Sequence, residues 1–106
     1  MCVTSFIQDK QLTIALSGEI DHHRARKIMD TIKRKIDEYL PRVCVLDYRD
    51  VSFMDSSGIA VVICAVRRMR ELDGCVQLRN VPQQPSKVLR AAGVEKIAEM
   101  EGSVPV

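Results

Sequence analysis

The hydrophobic pattern of this 106-residue chain changes its period from one segment to the next, and this change constrains the fold more than any other feature. Residues 11–16 place apolar side chains at every second position, as a half-buried strand does, before Ser17 and Gly18 interrupt the pattern. From Asp21 onward the apolar residues recur every three or four positions, which predicts an amphipathic helix that Asp21 caps and Pro41 ends. Alternating strand and helix patterns indicate an α/β layer structure with some parallel strand pairing.

The middle of the chain contains two apolar runs without alternation. Residues 43–46 are apolar throughout, which is typical of a central strand covered on both faces. A polar stretch at residues 47–50 follows this first run. The second run, residues 59–66, is apolar at every position, so its pattern does not distinguish a strand from a helix. Because Asp and Ser residues precede this run, its stripe continues to Leu72 and Gly74 follows, we expect a buried helix.

Shorter segments complete the predicted sheet. Residues 2–6 and 75–81 have the composition of strands, and residues 94–100 are expected to form a last one before a frayed tail at 102–106. Together with the strands described above, they predict one α/β domain over residues 1–106. We expect a mixed central sheet of about four to five strands with helices packed on it.

Two prolines mark the region between the last two predicted strands. Pro82 and Pro85 predict a loop, after which Ser86 is expected to cap a short helix over residues 87–92. Gly93 marks the end of that helix, because glycine tolerates the left-handed backbone that commonly follows a helix.

The composition excludes several classes of protein. Sixteen Lys and Arg against fourteen Asp and Glu leave a formal charge of +2, too balanced to require a nucleic acid as partner. The longest apolar run, residues 59–66, is far shorter than the roughly 20 residues that span a bilayer. The N-terminal residues lack a secretory signal, so we expect a cytoplasmic protein without membrane contact. Four widely spaced cysteines predict reduced thiols, with no metal or other cofactor.

Residues 51–58 contain the chemically most informative segment. They place the Asp55 carboxylate and the Ser56 and Ser57 hydroxyls between a strand end and a helix start. In open α/β sheets this edge is where ligands and partners dock, and unpaired N–H groups at the helix start tolerate an anion. A phosphate on Ser56 would be accepted there and would add about −1.5 to −2 charges. The alternative interpretation is that the serines simply cap the helix.

A catalytic role for these hydroxyls has little support in the sequence. Ser56 would need a base, and the two histidines, His22 and His23, are neighbours that diverge on a helix and cannot both aim at one point. No Gly-x-Ser-x-Gly string is present. We therefore expect a protein that is not an enzyme. The basic residues of the first helix are interleaved with acidic ones, as on a solvated helix face.

Two strings of residues resemble those of a known family. The first is Leu-Ser-Gly-Glu-Ile-Asp-His-His at residues 16–23, and the second is Asp-Tyr-Arg-Asp-Val-Ser-Phe-Met-Asp-Ser-Ser-Gly-Ile at residues 47–59. Both are similar to STAS domains, specifically to the anti-sigma factor antagonists that control sporulation and stress sigma factors. The resemblance covers nearly the whole chain in element order and implies a STAS-like fold.

The resemblance also implies a function. In that family a serine of the second string is phosphorylated by the cognate anti-sigma factor, which is a serine kinase, and this serine corresponds to Ser56. The unphosphorylated antagonist binds the anti-sigma factor and frees the sigma factor. The phosphorylated form dissociates until a serine phosphatase restores it.

Partner-binding residues follow from the same resemblance. The aspartate of the first string lies in the partner-binding surface of the family and corresponds to Asp21. We expect this surface also to contain His22, Asp55, Ser56, Ser57 and Gly58. STAS domains serve in addition as non-enzymatic subunits of lipid-transport complexes or signalling scaffolds, and the two strings discriminate only weakly between these roles.

Overall fold

The computed structural model describes residues 3–102, which form a five-stranded sheet, three α-helices and one short 3₁₀ helix. In chain order the elements are β1 (Val3–Gln8), β2 (Gln11–Ile20), α1 (His22–Tyr39), β3 (Val43–Met54), α2 (Ser57–Arg70), β4 (Cys75–Val81), α3 (Gln83–Ala91), the 3₁₀ helix (Val94–Lys96) and β5 (Glu99–Gly102). The spatial strand order is β1-β2-β3-β4-β5, with β1 antiparallel to β2 and the other neighbours parallel. The predicted α/β architecture with a mixed sheet is confirmed.

One face of the sheet forms the core with α1 and α2. Ile14, Leu46 and Leu78 lie opposite one another on three neighbouring strands and are fully buried. The stripe predicted for α1 is confirmed, since its buried residues are Ala25, Ile28, Ile32 and Ile36. The segment whose period was ambiguous is a helix, and α2 buries Gly58, Val61, Val62, Ala65, Val66 and Met69.

β2 and β3 are longer than the hydrophobic pattern predicts, and their extra length reaches the edge described below. β2 does not break at Ser17 and Gly18 but continues to Ile20, because two register shifts absorb the irregularity while the ladder with β3 continues. Gly18 adopts a left-handed backbone with φ 76°, which glycine tolerates. β3 likewise continues through the polar residues 47–50, where Tyr48 is fully buried between partly or fully exposed neighbours.

Two predictions for the C-terminal third are wrong. Pro85 is not in a loop and Ser86 is not a cap, because α3 already begins at Gln83 and Ser86 N–H donates to the carbonyl of Pro82 at 2.9 Å. The first turn of a helix accepts proline, since its N–H groups have no partner within the helix. Gly93 does follow the end of α3, with a left-handed φ of 77°.

The prediction of a strand over residues 94–100 is wrong for most of its length. Residues 94–96 form the 3₁₀ helix, which buries Val94, and the strand pairing with β4 begins only at Glu99. The predicted frayed tail begins at Gly102, but Gly102 belongs to β5 and pairs with Val81. The predicted strand residue Cys2 and the tail residues 103–106 lie outside the described part of the chain. None of the helices in residues 3–102 is long and apolar enough to cross a membrane.

Candidate functional site

Two strand-to-helix junctions meet at one edge of the sheet. β2 and β3 stay paired as far as Ile20 and Met54, and Asp55 N–H donates to the carbonyl of Ile20 at 3.1 Å. The segments that begin at Asp21 and Asp55 therefore lie side by side, beyond the carboxyl ends of two parallel strands. In open α/β sheets this is where partners and ligands dock. The fold thus brings the candidate residues of both strings together at one edge.

Ser56 stands at the start of α2 with its side chain exposed. Its backbone is already helical, with φ −64° and ψ −16°, and its hydroxyl makes no capping hydrogen bond. Asp55 instead provides the side-chain hydrogen bond at the start of α2, since its Oδ1 accepts from Ser57 N–H at 2.8 Å. The capping interpretation of Ser56 is therefore wrong, and Ser57 is the partly buried member of the pair.

The expected anion-tolerant N–H groups at this helix start are not available. Ser57 N–H is bound to the Asp55 carboxylate, Gly58 N–H donates to the Asp55 carbonyl, and Ile59 N–H donates to the Ser56 carbonyl. These three groups already have partners, so a phosphate on Ser56 would not enter a preformed cradle. It would project from the surface, within the field of the neighbouring Asp55 carboxylate.

Asp21 occupies the equivalent place at the first junction and is fully exposed at the N-cap of α1. Its Oδ1 accepts a hydrogen bond from Arg24 N–H at 2.9 Å, and this bond lowers the pKa of the Asp21 carboxyl below its ordinary value. The Arg24 guanidinium in turn donates to the carbonyl of Ser17 at 3.0 Å. His22 follows in the first turn with an exposed ring. The prediction that Asp21 caps the helix is confirmed.

Gly58 is buried against the side chain of Met54. A Cβ atom added at position 58 would overlap the Met54 Cγ and Sδ atoms, so the Met54 side chain, which is itself fully buried, would have to shift. Gly58 is thus a close-packing position that fixes how α2 leaves β3, and its backbone conformation is helical. Its side of the helix faces inward, so its contribution to a partner surface is indirect.

Gln84 is a residue of this region that the sequence did not identify. From the first turn of α3, its Nε2 donates to the Met54 carbonyl at 2.8 Å, and its Oε1 accepts from Met54 N–H at 2.9 Å. The side-chain amide thus pairs with the end of β3 as a neighbouring strand would. No local signal marks this contact, because 30 residues separate its two partners.

An exposed aromatic ring lies next to this junction. Phe53, the penultimate residue of β3, leaves 48% of its surface open to solvent and lies opposite Glu19 on β2. Aromatic residues are enriched where proteins contact one another. Phe53 therefore adds an apolar element to the edge that Asp21 and Ser56 occupy.

The Ser56 hydroxyl is exposed at this edge and takes no part in capping α2. In residues 3–102 no histidine or carboxylate is hydrogen-bonded to the Ser56 hydroxyl as an activating base. Over the same residues no three His, Cys, Asp or Glu side chains are grouped so that they could hold a metal ion. The Ser56 hydroxyl is therefore an exposed group of the second junction, beside the Asp55 carboxylate.

Comparison with known families and sequences relates the chain to STAS domains and to anti-sigma factor antagonists. The family described as the STAS domain matches residues 5–105. The chain is 31% identical over 90 residues to the anti-sigma F factor antagonist of Paenibacillus polymyxa, covering 81% of this chain and 74% of that protein. It is 24% identical over 101 residues to the anti-sigma-B factor antagonist of Bacillus subtilis, covering 91% and 90% of the two chains.

Solved structures share the fold. The anti-sigma factor antagonist SpoIIAA in its unphosphorylated form matches with a TM-score of 0.82 and 24% identity, over 96% of this chain and 90% of that one. The phosphorylated form of SpoIIAA from Bacillus matches with a TM-score of 0.73 at the same identity, over 96% and 93%.

Proposed function

This chain belongs to the STAS domain family, and we propose that it is an anti-sigma factor antagonist whose binding is switched off by phosphorylation of Ser56. In the unphosphorylated state it binds an anti-sigma factor, a serine kinase, and so frees a sigma factor. The chain acts by binding and catalyses no step itself. Its relatives of similar length carry the name of anti-sigma factor antagonists.

One observation carries the proposal: the Ser56 hydroxyl is exposed and forms no hydrogen bond with any residue in the part of the chain that the structure describes. Asp55 supplies the side-chain hydrogen bond at the start of α2 and leaves the serine oxygen outside the helix-capping network. A kinase can therefore reach this oxygen without unfolding the junction. In the transfer, the Ser56 oxygen forms a bond to the γ-phosphorus of ATP, the bond to the β-γ bridging oxygen breaks, ADP leaves, and a base of the kinase takes the hydroxyl proton.

The switch follows from charge. Phosphate adds about −1.5 to −2 charges to a surface that already carries the Asp21 and Asp55 carboxylates. Because the Ser57, Gly58 and Ile59 N–H groups already have partners, they are not free to neutralise this charge. An interface that fits the neutral serine would then have to bury an uncompensated dianion, which weakens binding. A serine phosphatase restores the binding form by hydrolysing the ester.

The partner surface in this proposal consists of the residues around the hydroxyl. Asp21 and His22 contribute exposed groups from the first junction, and Asp55 and Ser57 hold the start of α2 in shape. Gly58 acts by allowing α2 to approach Met54.

Phosphate mapping tests the proposal. The protein is incubated with ATP and a purified anti-sigma factor kinase that binds it, and the phosphorylated residue is located by mass spectrometry. We expect one phosphate, on Ser56, and complete loss of labelling in Ser56→Ala. The matched control is Ser57→Ala, which removes the adjacent, partly buried hydroxyl and should still be labelled. Undiminished labelling of Ser56→Ala would refute the assignment.

A further inference from the structure

A groove of about 460 Å³ runs between α1 and α2, outside the residues assigned above. Four small or apolar side chains from the two helices line it: Met29, Ala60, Ile63 and Cys64. The other lining residues are charged, with three cations against one carboxylate: Lys33, Arg67, Arg68 and Glu71. The groove is therefore amphiphilic, with an apolar surface flanked by positive charge.

The groove continues from the phosphorylation site along one face of α2. Side chains on a helix turn by roughly 100° per residue, so positions separated by four, seven and eleven residues share a face. Counted from Ser56, whose backbone is already helical, these positions are Ala60, Ile63 and Arg67. All three line the groove. A partner that contacts the Ser56 hydroxyl along this helix therefore meets the groove next.

The charges of the groove are only partly compensated within the chain. Arg68 lies 3.7 Å from an Asp37 carboxylate oxygen and 3.6 Å from one of Glu71. Lys33 and Arg67, in contrast, form no ion pair with any residue between 3 and 102. Both side chains are exposed, so two cations beside an apolar surface are left for an external partner.

The apolar residues of the groove are also incompletely covered. Ile63 leaves 36% of its surface exposed although it lies between two packed helices, and Ala60 beside it is exposed as well. A nucleic acid would use the cations and leave this apolar surface in water. An amphipathic helix that carries acidic residues beside its apolar face would use both.

We propose that the α1–α2 groove docks an acidic amphipathic helix of the protein that recognises Ser56. The inference rests on the proposed function, because it assigns the groove to the same partner. Apolar residues of the docked helix pack on Met29, Ile63 and Cys64, and its carboxylates face Lys33 and Arg67. Contacts in the groove contribute binding affinity that does not depend on phosphorylation, whereas contacts at Ser56 are weakened by it.

Thiol footprinting gives a direct test, because the groove contains Cys64 and the chain has an internal control. Cys75 is an exposed free thiol at the start of β4, and its neighbour Val76 points into the core, so Cys75 faces away from the helices. The protein is alkylated with iodoacetamide, alone and bound to the anti-sigma factor kinase, and each cysteine is quantified by mass spectrometry. Burial raises the pKa of the Cys64 thiol, so the reaction is run at about pH 9.

We expect the complex to slow alkylation of Cys64 at least about tenfold and to leave Cys75 within about twofold, since only the first thiol would be covered. Equal reactivity of Cys64 in the free and bound protein would overturn the docking inference.

Charge reversal of two neighbouring residues provides the second test. Lys33→Glu changes a groove cation, whereas Arg34→Glu makes the same change on the outward side of α1, at an exposed residue that does not line the groove. We expect Lys33→Glu to weaken the complex about tenfold and Arg34→Glu to change its dissociation constant less than about threefold. Equal effects of the two substitutions would contradict the inference.

The outcomes separate the inference from the proposed function. If Ser56→Glu weakens binding while Cys64 stays reactive and Lys33→Glu binds normally, the switch stands and the groove assignment falls. If no anti-sigma factor kinase binds the unmodified protein, the proposed function fails and the groove assignment fails with it.

Discussion

The two junctions at the edge of the sheet use the same residue type for the same purpose and leave different groups exposed. After β2, Asp21 is itself the N-cap of α1, and its carboxylate binds the Arg24 N–H. After β3, the aspartate lies one residue before the N-cap, so Asp55 binds the Ser57 N–H and the N-cap residue Ser56 has no side-chain bond. The aspartate thus lies one residue earlier at the second junction than at the first. As a result the N-cap side chain of α1, Asp21, has a structural role, whereas that of α2, Ser56, has none.

The difference shows how a hydroxyl becomes available for modification at a helix start. Serine is among the preferred N-cap residues, and in most contexts its oxygen would bind an N–H of the first turn. At the second junction the Gly58 and Ile59 N–H groups that such a cap would use already donate to the carbonyls of Asp55 and Ser56, and the Asp55 carboxylate binds the Ser57 N–H. The serine can then be modified or replaced without removing a bond on which the helix depends.

The largest expected effect on stability is at Gly58, which only the second junction has. Gly58→Ala should destabilise the protein by about 2 kcal/mol, because the added Cβ overlaps the buried Met54 side chain. The same change in an open helix would be stabilising. Urea unfolding measures it, with His23→Ala, at an exposed position in the first turn of α1, as the control. An unchanged or increased stability of Gly58→Ala would show that Met54 moves freely.

A pair of neighbouring glutamines tests whether α3 supports the second junction. Gln84→Ala removes both hydrogen bonds to the Met54 backbone and should cost about 1.5 kcal/mol. Gln83→Ala removes an exposed amide that forms no bond with the rest of residues 3–102, and it should stay within about 0.5 kcal/mol of the unmodified protein. Unfolding midpoints in urea compare the two. A similar loss in both variants would mean that helix propensity, not the amide pairing, sets the effect.

The comparison between the junctions is sharpened by three alanine variants. Asp55→Ala should cost about 1 kcal/mol and Asp21→Ala should also lower the unfolding midpoint, because each removes a side-chain bond at a helix start. Ser56→Ala should stay within about 0.5 kcal/mol of the unmodified protein. Thermal unfolding monitored by circular dichroism ranks the three. If Ser56→Ala were as damaging as the aspartate variants, the serine would be a structural cap after all.

The smallest effect concerns pH. The hydrogen bond from the Arg24 N–H lowers the pKa of the Asp21 carboxyl in the folded protein. The ionised Asp21 carboxylate therefore stabilises the fold at pH values above the carboxyl's pKa in the unfolded chain, which is about 4. This stabilisation is lost as the pH falls through the pKa of the folded protein. An NMR titration of the Asp21 carboxyl carbon checks this. Asp21→Asn should lack that pH dependence, and a carboxyl that titrates at its ordinary value would contradict the capping bond.

Local pattern predicted much of this molecule because the residues concerned act over short distances. The stripe of α1, the Asp21 cap and the two strings at the sheet edge depend on neighbours within a few positions. The continuation of β2 through Gly18 depends instead on pairing with a strand far along the chain. Likewise, α3 begins before Pro85 rather than after it, although prolines usually mark loops.

At the site, the sequence predicted the residues of the two strings and missed the contacts that form only when the chain folds. The bond between Gln84 and Met54 spans 30 residues, and the α1–α2 groove forms only when two helices pack together. The choice between Asp55 and Ser56 as the cap depends on whether helical dihedrals begin at one residue or the next. A pattern of residue types does not determine the first residue of a helix to within one position.

The dissociation constant of the complex with the anti-sigma factor kinase, measured for protein fully phosphorylated at Ser56 and for the unmodified protein, tests the central claim most directly. A dianion at an interface that fits a neutral serine should weaken binding at least about a hundredfold. Ser56→Ala, whose fold should be undisturbed, should bind within about fivefold of the unmodified protein, since it adds no charge. Equal affinities of the phosphorylated and unmodified proteins would contradict the account.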